Sequence, residues 1–193
     1  MKKIYDTIWE EAIKMQDLRQ DRGHARTVTD FAILLCKKLK GNEKIVIPAA
    51  ILHDIGYYGL DNQLLLDLMN CKLSDGEVKR IKEEHMVNGS KLAEEILIKV
   101  NYPKEFIKEI VRIIRNHDYS SACSSKEEKI IKDADKLWRF SEKGFSVDVR
   151  RRACKIKEWG DYLLSNIEKE GYFQTQEAKN IAKKEIKLRM KNE

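Results

Sequence analysis

The chain has 193 residues, with 38 Lys and Arg against 32 Asp and Glu, 9 Gly and only 2 Pro. That is long enough for one domain with its own core and too poor in turn formers for a sheet-rich fold, so the reading is all α. The net charge of +6 favours an anionic partner through the general field. Basic and acidic residues nevertheless alternate, as in Lys79-Arg80-Ile81-Lys82-Glu83-Glu84, and no basic stripe interleaved with aromatics marks a nucleic-acid surface. The most basic stretch, 183–191, reads as a solvated face. No run of 18 apolar residues and no signal-peptide core occurs, so a cytoplasmic protein without a membrane partner is expected. Cys36, Cys71, Cys123 and Cys154 form no Cys-x-x-Cys pair and read as reduced bystanders rather than a disulfide framework or zinc knuckle.

Taken in chain order, Tyr5 to Gln20 places Ile4, Ile8, Ala12 and Met15 near one stripe and predicts an amphipathic helix. After Asp21-Arg22-Gly23 a second helix is expected to about Lys40, opened by His24 one turn before Val28. The next should carry Ile45 to Asp54, with Pro48 kinking it or marking its start. From Tyr57 to Leu73 the leucines suggest a short helix, either core-filling or a lid. Ser74-Asp75-Gly76-Glu77 has the form of a capping box. A helix break is expected near His85, and Pro103 should open a helix running to His117-Asp118. Ser125 to Glu128 is a second candidate box, leading into Ile130 to Trp138. The remainder, from Asp148, reads as two helices broken at Gly171. The whole is expected to be a single domain, its core at about 20–140 and a helical extension at 148–193.

The chemistry concentrates at Ile47 to Tyr57, an apolar run that delivers His53 and Asp54 and stops at Gly56. A carboxylate there is costly unless it is paired, hydrogen-bonded or bound to a cation. Adjacent helical positions differ by about 100°, so His53 and Asp54 address one ion only from a helix end or a distorted last turn, and Gly56 is placed to release the backbone there. The chain has four histidines, His24, His53, His85 and His117, which with Asp54 and Asp135 make a nitrogen and oxygen ligand set. Asp133 and Asp135 lie two apart, so only one is expected to face the core. Asp118 reads as a support for His117 or a surface group.

His24, then His53-Asp54-Ile55-Gly56, then Ala134-Asp135-Lys136-Leu137, resembles the HD domain superfamily of metal-dependent phosphohydrolases over about residues 20–140. The resemblance implies a helical bundle around a metal site, with His24, His53, Asp54 and Asp135 as ligands and His53 and Asp54 as the catalytic pair. His85 and His117 stand where two-metal members have further histidines, with Asp54 then bridging. In a one-metal site the two would instead hydrogen-bond substrate. The implied cofactor is one or two divalent ions among Fe, Mn, Co, Ni and Zn, whose preferences suit imidazole and carboxylate. The implied reaction is hydrolysis of a nucleotide or other small phosphate ester by metal-activated water. Lys136, Arg139, Arg112 and Arg115 are candidate phosphate contacts, against a reading as ordinary exposed helix faces. The Gly-Tyr-Pro signature of cyclic-dinucleotide phosphodiesterases is absent, since Tyr58 follows Gly56-Tyr57. Two alternatives share the pattern: a mixed-valence di-iron oxygenase similar to myo-inositol oxygenase, and a non-catalytic, metal-stabilised regulatory domain.

Overall fold

The computed structural model describes residues 2–70, 72–118 and 123–191; Cys71 lies outside them. Ten α-helices are present among the described residues: α1 (Lys2–Ala12), α2 (His24–Leu39), α3 (Glu43–Leu52), α4 (Asn62–Met69), α5 (Asp75–Lys99), α6 (Lys104–Asn116), α7 (Lys126–Leu137), α8 (Glu142–Arg152), α9 (Ile156–Ile167) and α10 (Gln176–Arg189). Single 3-10 turns occupy Ile13–Met15, Ile55–Tyr57 and Trp138–Phe140, and no strand is present among the described residues. The fold is all α. None of these helices is long and apolar enough to cross a membrane.

The centre of the bundle is α3. Every residue from Val46 to Leu52 is buried, which requires neighbours all round, and α1, α2, α6 and α7 supply them. Its first turn is capped by Asn42, whose side chain accepts from Lys44 N–H at 3.0 Å. Pro48 therefore lies inside the helix rather than at its start, and it cannot donate to the carbonyl of Lys44 one turn back. The Tyr102 hydroxyl makes that bond instead, at 2.7 Å.

Around this rod, α6 contributes Ile107, Ile110, Ile113 and Ile114 on one face. The apolar core continues without interruption into the C-terminal helices through Trp159, Leu163, Ile167, Phe173, Ala178, Ala182 and Ile186. A smaller cluster of Tyr57, Leu65 and Ile81 seats α4 beside the 55–57 turn. That is a packing role for the leucine-rich segment.

Several expectations are corrected. The first helix stops at Ala12 because the following polar side chains find partners elsewhere: Gln16 Nε2 donates to Ile51 O at 2.8 Å. Asp17 accepts from Gly23 and Ala25 N–H at 2.6 and 3.0 Å. The break expected near His85 is absent, as α5 runs continuously after its Ser74–Glu77 capping box. The two helices expected beyond Asp148 are present as α9 and α10, and α8, which was not expected, precedes them and contains Asp148. α8 ends at Ala153, which takes a left-handed φ of 48°, and Gly171, φ 72°, turns the chain between α9 and α10. Asp133 and Asp135 both face inward. Two helical positions lie about 200° apart, and α7 is buried on both sides. Asp133 accepts from Gln174 N–H at 2.7 Å and Thr175 Oγ at 2.6 Å, at the start of α10.

Candidate metal centre

Five helices bring the six expected residues together. His24 is the first residue of α2, His53 and His117 are the residues that end α3 and α6, His85 lies inside α5, and Asp135 sits in the last turn of α7. Three of these helices point their C-terminal, partially negative ends at one place, which favours a cation there. The last turn of α3 is distorted as the spacing required: His53 keeps helical torsions, whereas Asp54 moves to φ −105°, ψ 4° and opens the 3-10 turn. Adjacent side chains can then face a common centre.

The ring orientations are set from behind. His53 Nδ1 and His117 Nδ1 donate to the carbonyls of Ala50 and Ile114, each at 2.8 Å, and His85 Nδ1 lies 3.3 Å from Ile81 O. A proton held at Nδ1 leaves Nε2 as a lone-pair donor aimed inward. What these atoms meet is mostly other acceptors. His53 Nε2 is 3.0 Å from His24 Nε2 and 3.5 Å from Asp54 Oδ2. His85 Nε2 is 3.5 Å from His117 Nε2. Lone pairs crowded in this way are stable only around a proton or a cation, so the donor set fits a metal.

Asp54 divides the set. Its Oδ2 lies 3.1 Å from His24 Nε2, on the side where Asp135 Oδ1 is 3.3 Å from His24 and 3.7 Å from His53. Its Oδ1 lies 3.4 Å from His117 Nε2 and 3.7 Å from His85 Nε2. His24, His53 and Asp135 form one group able to hold a metal ion; Asp54, His85 and His117 form the other.

The charges are consistent with this. Burial alone would raise the Asp54 carboxyl, but Arg19 and the surrounding histidines hold it well below the usual carboxylate range. Asp135 is likewise held down, against burial, by His24 and His53. Burial would lower His24, yet Asp135 and Asp54 push it up to about 9. Burial would also lower His117, yet Asp54 raises it, whereas His85 is pushed down to about 4 by burial and by His117; a bound cation would take the place of the protons on His24 and His117.

The model of the HD domain family matches residues 22–139. The chain belongs to the HD domain family. The fold of this HD domain protein is similar to the crystal structure of a predicted HD superfamily hydrolase from an uncultured Thermotogales bacterium. The TM-score is 0.59 at 21% identity, covering 97% of this chain and 86% of that one. No curated protein matches the chain.

Of the four basic residues expected to contact phosphate, three have other partners in this HD domain. Arg112 is bound to Glu109, Glu128 and Ser125. Lys136 donates to the carbonyls of Gly171 and Tyr172. Arg139 pairs with Asp148 at 3.4 Å. Arg115 Nη1 is buried without a partner among the described residues. The cation that meets Asp54 is one the sequence reading passed over: Arg19, whose Nη2 contacts Asp54 Oδ2. Its signal was the charged stretch 17–22 just before His24, of which the helical reading absorbed residues 17–20 into the first helix.

Proposed function

We propose that this HD domain protein is a metal-dependent phosphohydrolase acting on a nucleotide or another small phosphate ester. The observation that carries the reading is the split of Asp54, one oxygen toward His24 and His53 and the other toward His85 and His117. His24, His53, Asp135 and Asp54 Oδ2 would hold one divalent ion, and His85, His117 and Asp54 Oδ1 a second, with Mn, Fe, Co, Ni or Zn suited to such ligands. Bound there, such ions acidify water and offset the charge of a phosphoryl group.

The chain's own residues supply the setting. The carbonyls behind His53 and His117 fix those rings, so little reorganisation is needed when charge develops. The side chains of the four histidines are at most 5% exposed, whereas those of Asp54 and Asp135 are 12% and 29% exposed. The open side is thus the carboxylate side, and a substrate approaches over Asp135 and Asp54. The hydrolase description of the Thermotogales structure supports the same reading.

Metal-loaded protein should release phosphate from at least one member of a panel of nucleotides and simple phosphate esters, at the same rate with and without oxygen. An oxygen-dependent product with no phosphate release would favour the di-iron oxygenase alternative. Bound metal with no turnover on any ester would favour the regulatory one.

A further inference from the structure

The loop between α1 and α2, residues 16–23, holds one guanidinium against the metal centre. Asp17 and Gln20, on either side of Arg19, take left-handed φ values of 56° and 55°, a conformation unfavourable for residues that carry a side chain. The loop is kept in it from several directions. Gln16 is tied to Ile51 O, and Asp17 to the first N–H groups of α2. Arg151 of α8 donates to the carbonyl of Arg19 itself. The Arg19 guanidinium lies 4.4 Å from the centre of the Tyr57 ring, and its Nη2 reaches Asp21 Oδ2 at 3.1 Å as well as Asp54 Oδ2.

Such a device does more than balance a carboxylate. A cation bound by His24, His53 and Asp135 would share Asp54 Oδ2 with Arg19, so the arginine places a like charge beside the metal. As a pure counter-ion it would be counterproductive once the ion is bound. A planar fork of five donors suits a phosphoryl group, and the Arg19 side chain is 23% exposed, on the same open side as Asp54 and Asp135.

We propose that Arg19 is the substrate anchor, donating to the phosphoryl oxygens of a substrate seated over Asp54 and Asp135. This rests on the phosphohydrolase reading above and deepens it. Asp21, Tyr57 and Arg151 are then positioning residues that hold the fork in place.

The test compares manganese-loaded wild type with Arg19→Ala and Arg19→Lys, measuring inhibition by inorganic phosphate, KM and kcat on the best ester found, and Mn2+ affinity by chelator competition. Thermal melts control for folding. In Arg19→Ala the phosphate inhibition constant and KM should rise about 10- to 100-fold, the range for loss of a charge-assisted hydrogen bond. Mn2+ affinity should hold or tighten, by up to about tenfold, because a like charge is removed. Arg19→Lys should bind phosphate several-fold more weakly than wild type at unchanged Mn2+ affinity, and it decides the matter if the Ala variant does not fold. Unchanged phosphate inhibition in either folded variant overturns the proposal. A parallel loss of Mn2+ and phosphate in Arg19→Ala also overturns it, since Arg19 would then act only by holding Asp54. Both patterns presuppose an active wild type. A wild type that neither hydrolyses esters nor binds phosphate removes the hydrolase reading, and the anchor with it.

Discussion

Replacing Asp54 with Ala should abolish metal retention and lower phosphate-ester turnover by at least about 1,000-fold, the scale of losing several kcal/mol of transition-state charge stabilisation. The substitution removes both carboxylate oxygens, and each serves a different pair of histidines: Oδ2 at 3.1 and 3.5 Å from His24 and His53, Oδ1 at 3.4 and 3.7 Å from His117 and His85. Among the described residues Asp135 lies close to His24 and His53, at 3.3 and 3.7 Å, on one side of the site, so it does not stand in for both oxygens. The helical fold should survive, since the main core lies in the apolar side chains from Ile8 to Ile186 rather than in the site. Elemental analysis and a phosphate assay on the purified variant, with circular dichroism to show that it is folded, check this. Full metal occupancy in the folded variant would refute Asp54 as a ligand.

Gly56→Ala should be severely damaging although it leaves every candidate ligand intact. A Cβ built on Gly56 would lie 1.8 Å from His85 O, 2.5 Å from Gly89 N and 2.8 Å from Gly89 Cα. All three are backbone atoms of α5, so no flexible side chain can move aside. Asn88 reinforces the contact by donating to the carbonyls of Gly56 and Tyr58, each at 2.9 Å. Relief requires α5 to shift, and α5 carries His85, on which Tyr57 is stacked with ring centres 4.2 Å apart. Overpacking of this kind costs about 3 kcal/mol, which for a chain of this size lowers Tm by roughly 10 °C. The second ion should be lost before the first, because His85 belongs to the second group. Differential scanning calorimetry and metal counting test both effects; a wild-type Tm with full metal content would contradict the close-approach account.

Gly56 also shows what could be read from sequence and what could not. The motif announced the site, because four histidines in the whole chain are few enough for their order with Asp54 and Asp135 to carry meaning, and local signals such as Ser74–Glu77 placed a helix start correctly. The reason for the glycine was misread. It was assigned to backbone release, whereas the demand comes from the backbone of His85 and Gly89 in α5, whose approach no local pattern reveals. Arg19 was missed for the same physical cause: its position depends on Gln16 bonding to Ile51 and on Arg151 holding its carbonyl. Asp133 and Asp135 were not expected to be buried together, because nothing in the sequence shows that the start of α10 covers the Asp133 side of α7. Arg112 looked available until Glu109 and Glu128 were placed beside it. Residue chemistry and local capping are written in short stretches of chain, while the partners that decide burial and charge pairing come from distant ones.

If Asp54 joins two ion sites, titration of metal-stripped protein with Mn2+, followed by elemental analysis, counts both. Wild type should retain two equivalents under metal excess, and the His85→Ala, His117→Ala double variant should retain one. A wild type that never exceeds one equivalent, matched by the double variant, would contradict the dinuclear account and leave His85 and His117 as contacts to the substrate.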